Sequence, residues 1–548
     1  MGAASHEIAR DFPSATGTRF GTVVLCVSFA VLYALGMPGY DVPGLTFACL
    51  VPLLILSTTS ANGIQAARRG LFAGTLANLL LVYWIAYTVA VMGKLGWVLG
   101  GLSALLVSAY LGVYVSLAAV IAYRLRKRFG IAGLWWFPAA WVCVEYARAV
   151  LFTGFPWLLL GYSLSGHSLL RQAADLAGVH GLGFLLAAEN VCLYMAASVA
   201  TKGEWRKLHL PLVGAASVTI FLFAYGVAGK EGMVPEAPGE VVRVAVAQGG
   251  IDQTVKWDPA HQVETLRIYK TLTEEAKAKG AEVVVWPETA APFFYGWESE
   301  MSAVVDAVAR ENHVPIIFGA PWFDPSGGGK YYNSVFLLEE RGIANGRYDK
   351  RHLVPFGEYI PLRRILFFLR KLTEGEEDFS AGRGPALFTV GGETVGASIC
   401  YEAIFPGILR ESVKGGARWL VNVTNDAWFG DTVAPRQHLA MARMRSVEYR
   451  RPMVRAANSG ISAVIDERGN VVARMGLSRK GTLVAEIRPR GGETAYAKTG
   501  EIFAVSCTII TFLTLIIPGR GTHGNRNPGR KNRLDRIARK RSPGLSLR

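Results

Sequence analysis

Long apolar segments separated by short polar ones dominate the first 228 residues and recur once near the C-terminal end. Each is near the roughly 20 residues that an α-helix needs to cross a hydrocarbon layer about 30 Å thick. The eight predicted spans are residues 20–36, 44–57, 70–92, 97–123, 131–149, 180–200, 210–228 and 501–517. The second is short and contains Pro52, so we expect it either to be re-entrant or to begin earlier. A buried core helix is the alternative for the weakest two.

The loops between these spans alternate in charge, and short cytoplasmic loops concentrate Lys and Arg. Basic residues precede the first span and follow the second, fourth and sixth: Arg10, Arg19, Arg68, Arg69, Arg124, Arg126, Lys127, Arg128, Lys202, Arg206 and Lys207. Only Lys94 follows the third span, and only Arg171 follows the fifth. Both termini are therefore predicted to be cytoplasmic, with the segment between the seventh and eighth spans on the outer face.

Composition agrees with a membrane protein, since 51% of residues are hydrophobic and 18% are charged, against about 25% charged in soluble proteins. It excludes a disordered chain, and six cysteines are too few for a disulfide scaffold. The net charge of +16 is concentrated in residues 518–548, which hold ten basic residues and one acid, Asp535. Beside a span, this tail is predicted to contact anionic lipid head groups rather than nucleic acid.

Residues 231–500 have a different pattern, in which short β-rich runs alternate with helical stretches. Strands are predicted at 242–247, 282–286, 315–318, 334–338, 395–399, 419–423, 453–456 and 463–465, and helices at 259–279, 299–311, 402–414 and 434–450. This order predicts an α/β layer fold. The chain thus divides into a seven-span domain (1–230), an outer α/β domain (231–500), an eighth span (501–517) and a basic tail (518–548).

Three chemically useful side chains follow predicted strands. Glu288 follows one run, Lys350 follows residues 344–348, and Cys400 ends another run. Loops at the carboxyl ends of strands converge, so we expect the three side chains to meet. Cys400 is the only cysteine outside the predicted spans. It is either a small buried hydrophobe or a nucleophile, and a helix beginning directly after it favours thiolate.

A thiol is mostly protonated at neutral pH, so a cysteine nucleophile needs a base and a nearby positive charge. Glu288 is the candidate base. Lys350 is the candidate stabiliser of the thiolate and then of an oxyanion. Taken singly, Glu288 also fits a turn cap and Lys350 a solvated surface charge. Their joint placement after separate strands favours one catalytic site.

Trp286-Pro287-Glu288, Lys350 and Cys400-Tyr401-Glu402 resemble the Glu-Lys-Cys triad of the nitrilase superfamily. Other motifs resemble its membrane branch, the apolipoprotein N-acyltransferase family. These are residues 248–253 with Lys256-Trp257, residues 348–358, residues 425–430, Gly154-Phe155-Pro156-Trp157 and Gly161-Tyr162. Gly250 departs from the family, which commonly has Asn there.

The resemblance implies an αββα sandwich on the periplasmic face of the inner membrane. It implies transfer of a fatty acyl chain from a phospholipid, through a cysteine thioester, to the N-terminal amine of a diacylglyceryl-modified lipoprotein by ping-pong kinetics. Carried over by position, Cys400 is the nucleophile, Glu288 the base and Lys350 the stabiliser. Trp257, Glu358, Tyr401 and Glu402 match supporting positions. No metal or other cofactor is expected, and we expect a monomer.

Two apolar segments, 292–297 and 362–371, are expected to lie at the lipid head groups, and the second is a candidate lid or else a core helix. Two other functions stay open at this stage. A membrane-tethered amidase or nitrilase-type hydrolase uses the same triad with water as acceptor, although a tether needs only one span. A non-catalytic lipoprotein- or lipid-binding protein does not need the intact triad.

Overall fold

The N-terminal half of the protein is helical, and all eight predicted spans coincide with helical stretches. A computed structural model describes residues 18–232, 239–326, 329–361 and 378–517. Asn62 starts one helix because its side-chain oxygen accepts a hydrogen bond from the Gln65 N–H. The helices are α1 (Arg19–Leu35), α2 (Val51–Thr58), α3 (Gly63–Val82), α4 (Trp84–Tyr87), α5 (Gly96–Phe129), α6 (Phe137–Val150), α7 (Ala174–Thr201), α8 (His209–Gly232), α9 (Pro259–Ala278), α10 (Ser299–Asn312), α11 (Pro406–Lys414), α12 (Ala434–Tyr449), α13 (Ala495–Thr499) and α14 (Ile502–Ile516).

Helix length separates these stretches into two groups. Within the described residues, Gly96–Phe129, Leu170–Thr201 and Trp205–Gly229 are long and apolar enough to cross a membrane. The pair Gly63–Val82 and Trp84–Met92, bent by 57°, makes a fourth if it counts as one span. The other stretches, in α1, α2, α6 and α14, are shorter than the roughly 20 residues of a typical span. The count of eight spans therefore stays a prediction.

The second predicted span is unusual because its helix, α2, is only 8 residues long and is buried from Pro52 to Thr58. Pro52 lies in its first turn, where the missing N–H of proline removes no helical hydrogen bond. The α2 segment therefore packs inside the helical bundle.

The C-terminal half contains two six-stranded sheets. The strands are β1 (Val242–Gln248), β2 (Val283–Val285), β3 (Ile316–Asp324), β4 (Lys330–Leu338), β5 (Ala344–Asp349), β6 (Leu387–Val390), β7 (Glu393–Ile399), β8 (Trp419–Thr424), β9 (Met453–Ala457), β10 (Ser462–Ile465), β11 (Val471–Met475) and β12 (Gly481–Ile487). One sheet has the order β12-β1-β2-β3-β4-β5 and the other β11-β10-β9-β8-β7-β6. The inner strands β1-β2-β3 and β7-β8-β9 are parallel.

The two sheets pack face to face over one apolar core, to which Val246 and Ile317 contribute from one sheet and Val421 and Val454 from the other. Helices α9 and α10 cover the outer face of the first sheet, and α11 and α12 cover that of the second. This arrangement confirms the expected αββα sandwich. All eight predicted strands and all four predicted helices of this half are present. The other four strands, β5, β6, β11 and β12, lie at sheet edges and were not among the eight predicted strands.

Helix α12 joins the sandwich to the helical domain. Gln437 accepts a hydrogen bond from Trp157 Nε1 (2.8 Å) and donates one to the Leu81 carbonyl (3.1 Å). Beyond the end of α12, Arg450 forms a buried ion pair with Asp175 at 2.6 Å. At the C-terminal side, only Gly500 and Glu501 separate α13 from α14. The sandwich is thus fixed to the bundle at several points.

The expectation for the segment 292–297 is largely wrong. Phe293 and Tyr295 are buried in the core beneath α9 and α10, whereas Gly296 is exposed and Trp297 is half exposed. The aromatic side chains at 293 and 295 fill the sandwich because they lie between α10 and the first sheet. The candidate lid 362–371, the basic tail 518–548 and Arg10 lie outside the described residues.

We expect Asp175→Ala to destabilise the protein strongly. The substitution leaves the Arg450 guanidinium, which is 1% exposed, with neutral partners only. Breaking a buried ion pair from one side costs about 3–5 kcal/mol. Thermal unfolding of the detergent-purified protein should show a clearly lowered midpoint. The matched control is Glu264→Ala, which breaks an exposed pair with Arg267 and should change little. Equal shifts for both variants would contradict the structural role of the buried pair.

Candidate active site

The three predicted catalytic side chains follow the carboxyl ends of three strands. Glu288 comes three residues after β2, Lys350 directly after β5, and Cys400 directly after β7. The loop that carries Glu288 packs directly against Gly319 of β3. A Cβ at this glycine would lie 2.5 Å from the Thr289 nitrogen and 2.7 Å from Glu288 Cα, so a larger residue would displace the loop. The charges of Glu288 and Lys350 both act on the pKa of the Cys400 thiol. The structure therefore brings the three groups into one site.

Lys350 is buried between two carboxylates. Its Nζ lies 2.8 Å from Glu358 Oε1 and 3.4 Å from Glu288 Oε1. Burial alone would lower the pKa of Lys350, but the two carboxylates outweigh it and raise the pKa well above its usual value. The ammonium is therefore charged at neutral pH. Glu358, one of the predicted supporting residues, contacts this ammonium directly and also accepts a hydrogen bond from the Val354 N–H.

Two further polar residues belong to this site. Asn333, in β4, donates through Nδ2 to Glu288 Oε1 (2.8 Å) and to Glu358 Oε1 (3.1 Å). Lys256 donates from its buried Nζ to the backbone oxygen of Glu288 (3.0 Å). Burial lowers the pKa of Lys256 to about 8, although Glu288 and Cys400 oppose the shift. The sequence offered no signal for Asn333, and Lys256 drew attention only as the neighbour of Trp257.

Cys400 sits in a strained backbone conformation. Its φ is 52°, in the left-handed region, which costs a non-glycine residue about 1–3 kcal/mol. Burial raises the pKa of the Cys400 thiol to about 12; the Glu288 charge adds to the shift, and the Lys350 charge opposes it. The expectation that the following helix would stabilise thiolate is wrong. That helix is a single five-residue 3₁₀ stretch, and the net shift of the thiol pKa is upward. The thiol is protonated at rest and needs a base.

The predicted supporting residue Glu402 acts through the backbone. Its carboxylate accepts hydrogen bonds from the N–H groups of Arg351 (2.6 Å), His352 (3.1 Å) and Ile399 (2.7 Å). It also accepts one from the Tyr348 hydroxyl, at 2.9 Å. Glu402 thus ties the loop after Lys350 to the strand that ends at Cys400.

The site adjoins the helical domain. The supporting residue Tyr401 belongs to the same continuous apolar cluster as Trp157 and Leu186 of the bundle. Trp157 also packs on Phe429, with ring centroids 5.9 Å apart. Trp257, the remaining predicted supporting residue, is half-buried on the loop that carries Lys256. Tyr401, the residue after Cys400, is therefore part of the apolar core of the helical domain.

Comparison with known families agrees with both halves of the chain. The sequence profile of the carbon-nitrogen hydrolase family matches residues 243–496, and that of the apolipoprotein N-acyltransferase N-terminal domain matches residues 29–192. The apolipoprotein N-acyltransferase of Geobacter metallireducens is 41% identical over 492 residues, covering 88% of this chain and 92% of that protein. The one from Methylococcus capsulatus is 38% identical over 408 residues, covering 73% and 77%.

Among solved structures, a variant of the Nesterenkonia AN1 amidase from the nitrilase superfamily is similar to part of this chain. It is 19% identical, with a TM-score of 0.36, and covers 50% of this chain and 99% of its own. The assignment of a nitrilase-like fold to the sandwich rests on the family match over residues 243–496.

Removing the Lys350 charge should slow alkylation of Cys400. Because that charge lowers the pKa of the thiol, Lys350→Met should reduce the thiolate fraction. Each pKa unit changes this fraction about tenfold, so we expect iodoacetamide to react about tenfold more slowly at pH 8. The rate is measured by mass spectrometry of the Cys400 peptide. Lys330→Met, which removes an exposed charge, is the control. An unchanged or faster rate in Lys350→Met would contradict the electrostatic role.

Proposed function

Since the chain belongs to the apolipoprotein N-acyltransferase family, we propose that it transfers a fatty acyl chain from a membrane phospholipid to the N-terminal amine of a diacylglyceryl-modified lipoprotein. The proposal extends to the route, which runs through a thioester on Cys400. One observation carries it. The buried Cys400, the Glu288 carboxylate and Lys350, whose charge is paired with carboxylates, share a site that adjoins the apolar core of the helical domain.

The first half-reaction makes the thioester. Glu288 removes the proton of the Cys400 thiol as Sγ attacks the ester carbonyl of the phospholipid. The Lys350 ammonium stabilises the oxyanion of the tetrahedral intermediate. When the intermediate collapses, the bond from the carbonyl carbon to the glycerol oxygen breaks, and the proton on Glu288 passes to that oxygen. A lysophospholipid leaves, and the acyl chain stays on the sulfur.

The second half-reaction uses the same groups. The neutral amine of the lipoprotein attacks the thioester carbonyl and forms an amide, Glu288 accepts the amine proton, and the bond to sulfur breaks. The proton then returns to Sγ, so the free enzyme is restored. Because the first product leaves before the second substrate enters, we expect ping-pong kinetics.

Contact with the membrane is energetically necessary for such substrates. Moving an acyl chain into water costs about 0.8 kcal/mol for each CH₂ group. An apolar cluster that includes Tyr401, next to the nucleophile, lets the chain approach without that cost. The apolar surroundings also favour an acyl acceptor held in the membrane over bulk water.

The ends of the helices support the predicted topology. At one face of the bundle, Thr88 donates to the Trp428 carbonyl (2.9 Å) and the Val179 N–H donates to Glu448 (3.1 Å), so these ends adjoin the sandwich. At the opposite face, Arg69 donates to the Leu56 carbonyl (3.1 Å), and Arg128 donates to the Leu515 carbonyl at the end of α14 (2.5 Å). The basic residues thus gather at the face away from the sandwich, as cytoplasmic loops do.

We therefore assign eight crossings in an inner-membrane protein with cytoplasmic termini and a periplasmic sandwich. The helical domain comprises residues 1–230, the catalytic domain 231–500, the eighth span 501–517 and the cytoplasmic tail 518–548. The protein acts as a monomer.

The thioester is tested by mass spectrometry of the protein purified from membranes. We expect a fatty-acyl adduct on Cys400 that hydroxylamine removes, is lost in Cys400→Ala and persists in the control Cys507→Ala. Adding a diacylglyceryl-modified peptide should discharge the adduct onto the peptide amine. Discharge to water at the same rate would favour a hydrolase. Full complementation of cells by Cys400→Ala would favour a binding protein.

The topology is tested with a membrane-impermeant maleimide on spheroplasts. Glu264→Cys, exposed on α9, should label in intact spheroplasts. Arg206→Cys, exposed between α7 and α8, should label only after permeabilisation. The opposite pattern would overturn the periplasmic placement.

A further inference from the structure

A buried histidine lies behind the nucleophile and takes no part in the mechanism described above. His438, in α12, places Nε2 3.1 Å from the carbonyl oxygen of Cys400. A carbonyl oxygen can only accept a hydrogen bond, so Nε2 carries a proton and donates it. Asn422 approaches the same oxygen with Nδ2 at 3.4 Å. The Cys400 carbonyl is thus held by two side chains.

The other ring nitrogen fixes the orientation of this histidine. His438 Nδ1 lies 3.0 Å from Asp426 Oδ1 and 3.1 Å from Arg455 Nη2. Burial and the Arg455 charge lower the pKa of His438, and the Asp426 charge opposes the shift. Burial alone would raise the pKa of Asp426, but Arg455 and His438 outweigh it and hold the pKa far below its usual value. A permanent ion pair therefore anchors the ring.

The hydrogen bond from His438 acts on the peptide unit between Cys400 and Tyr401. The Cys400 carbonyl and the Tyr401 N–H belong to one planar unit and point to opposite sides of it. A hydrogen bond to the oxygen polarises the unit and makes its N–H a stronger donor. The same bond supports the left-handed backbone at Cys400.

We propose that His438 is a positioning residue for acyl transfer: it holds and polarises the Cys400–Tyr401 peptide so that the Tyr401 N–H stabilises the oxyanion together with Lys350. This inference rests on the proposed thioester route. It names a donor for the negative charge that forms when Sγ attacks a carbonyl, and such donors act most strongly when they are held in place beforehand.

The position of His438 depends on the helical domain. The Trp157 ring packs against the imidazole with centroids 5.8 Å apart, and Phe429 packs at 6.2 Å. Trp157 also donates to Gln437, the residue before His438. Contacts between the helical domain and the sandwich therefore hold the His438 ring in position, and that ring in turn holds the Cys400–Tyr401 peptide.

The test compares His438→Leu, which cannot donate, with His438→Gln, whose amide can. The control is Ser446→Ala, which removes another buried polar group from α12. In the full-length protein, single-turnover acylation by phospholipid in mixed micelles should fall about 10- to 100-fold in His438→Leu, with less loss in His438→Gln and none in the control. The apparent KM for phospholipid should stay within about twofold, because the bond acts on the transition state.

Two readouts separate this role from a structural one. Alkylation of Cys400 by iodoacetamide forms no oxyanion, so its rate should stay within about threefold of wild type in His438→Leu. In the acyl-enzyme made with a ¹³C-labelled acyl carbonyl, the infrared carbonyl stretch should move to higher frequency in His438→Leu, because a weaker donor lengthens its hydrogen bond.

The outcomes also separate this inference from the proposed function. Wild-type protein that forms no adduct would remove the thioester route itself. If wild type forms the adduct and His438→Leu forms it equally fast, only the role of His438 fails. A parallel fall of acylation and alkylation would equally overturn it, since the thiol rather than the peptide would then be displaced.

Discussion

A single buried ammonium, that of Lys350, holds the candidate active site together. Two carboxylates, Glu288 and Glu358, lie near each other in a place closed to water, and like charges so close would repel strongly without a cation between them. The lysine in turn stays charged only because the carboxylates surround it. The charged state of each group thus depends on the charges of the other two. The thiol, held protonated beside them, is a latent nucleophile.

Helix α12 gives the second constraint, since almost all of its residues are buried while many of them are polar or charged. Gln437, His438, Arg445 and Glu448 are all inaccessible to solvent. Buried polar groups need partners, and these find them on the bundle on one side and on the strands behind Cys400 on the other. Burial raises the pKa of Glu448 to about 7 despite the adjacent Arg445. Helix α12 therefore links the helical domain to the strands behind Cys400 and fixes their relative position.

The sequence predicted the buried parts of this fold best. The inner strands of each sheet are mostly apolar, so they can be recognised in the sequence without knowledge of their neighbours in the sheet. The edge strands lack such runs: β11 alternates in exposure, and β12 pairs with β1, which lies far earlier in the chain. The segment 292–297 was predicted to lie at the lipid head groups but is mostly buried, because aromatic residues are as common in protein cores as at membrane interfaces.

The candidate catalytic residues were predicted from their types and from their place after strands. Asn333, Lys256 and His438 were missed for a common reason: each acts through a contact made only by folding. Asn333 lies within a strand and gains its importance from two carboxylates on other elements. The thiolate expectation for Cys400 failed because a sequence shows the following helix but not the desolvation around the sulfur.

The short connection at Gly500 and Glu501 has a geometric consequence. A sandwich inserted between α8 and α14, and fixed by α12, cannot swing about one hinge, so the sulfur keeps a constant depth relative to the bundle. Ester bonds of bilayer lipids share nearly one level, whereas the ends of their chains do not. In the proposed reaction, a sulfur held at one depth would therefore reach only the ester bonds at that level of the bilayer, and the lipids themselves would have to move past it.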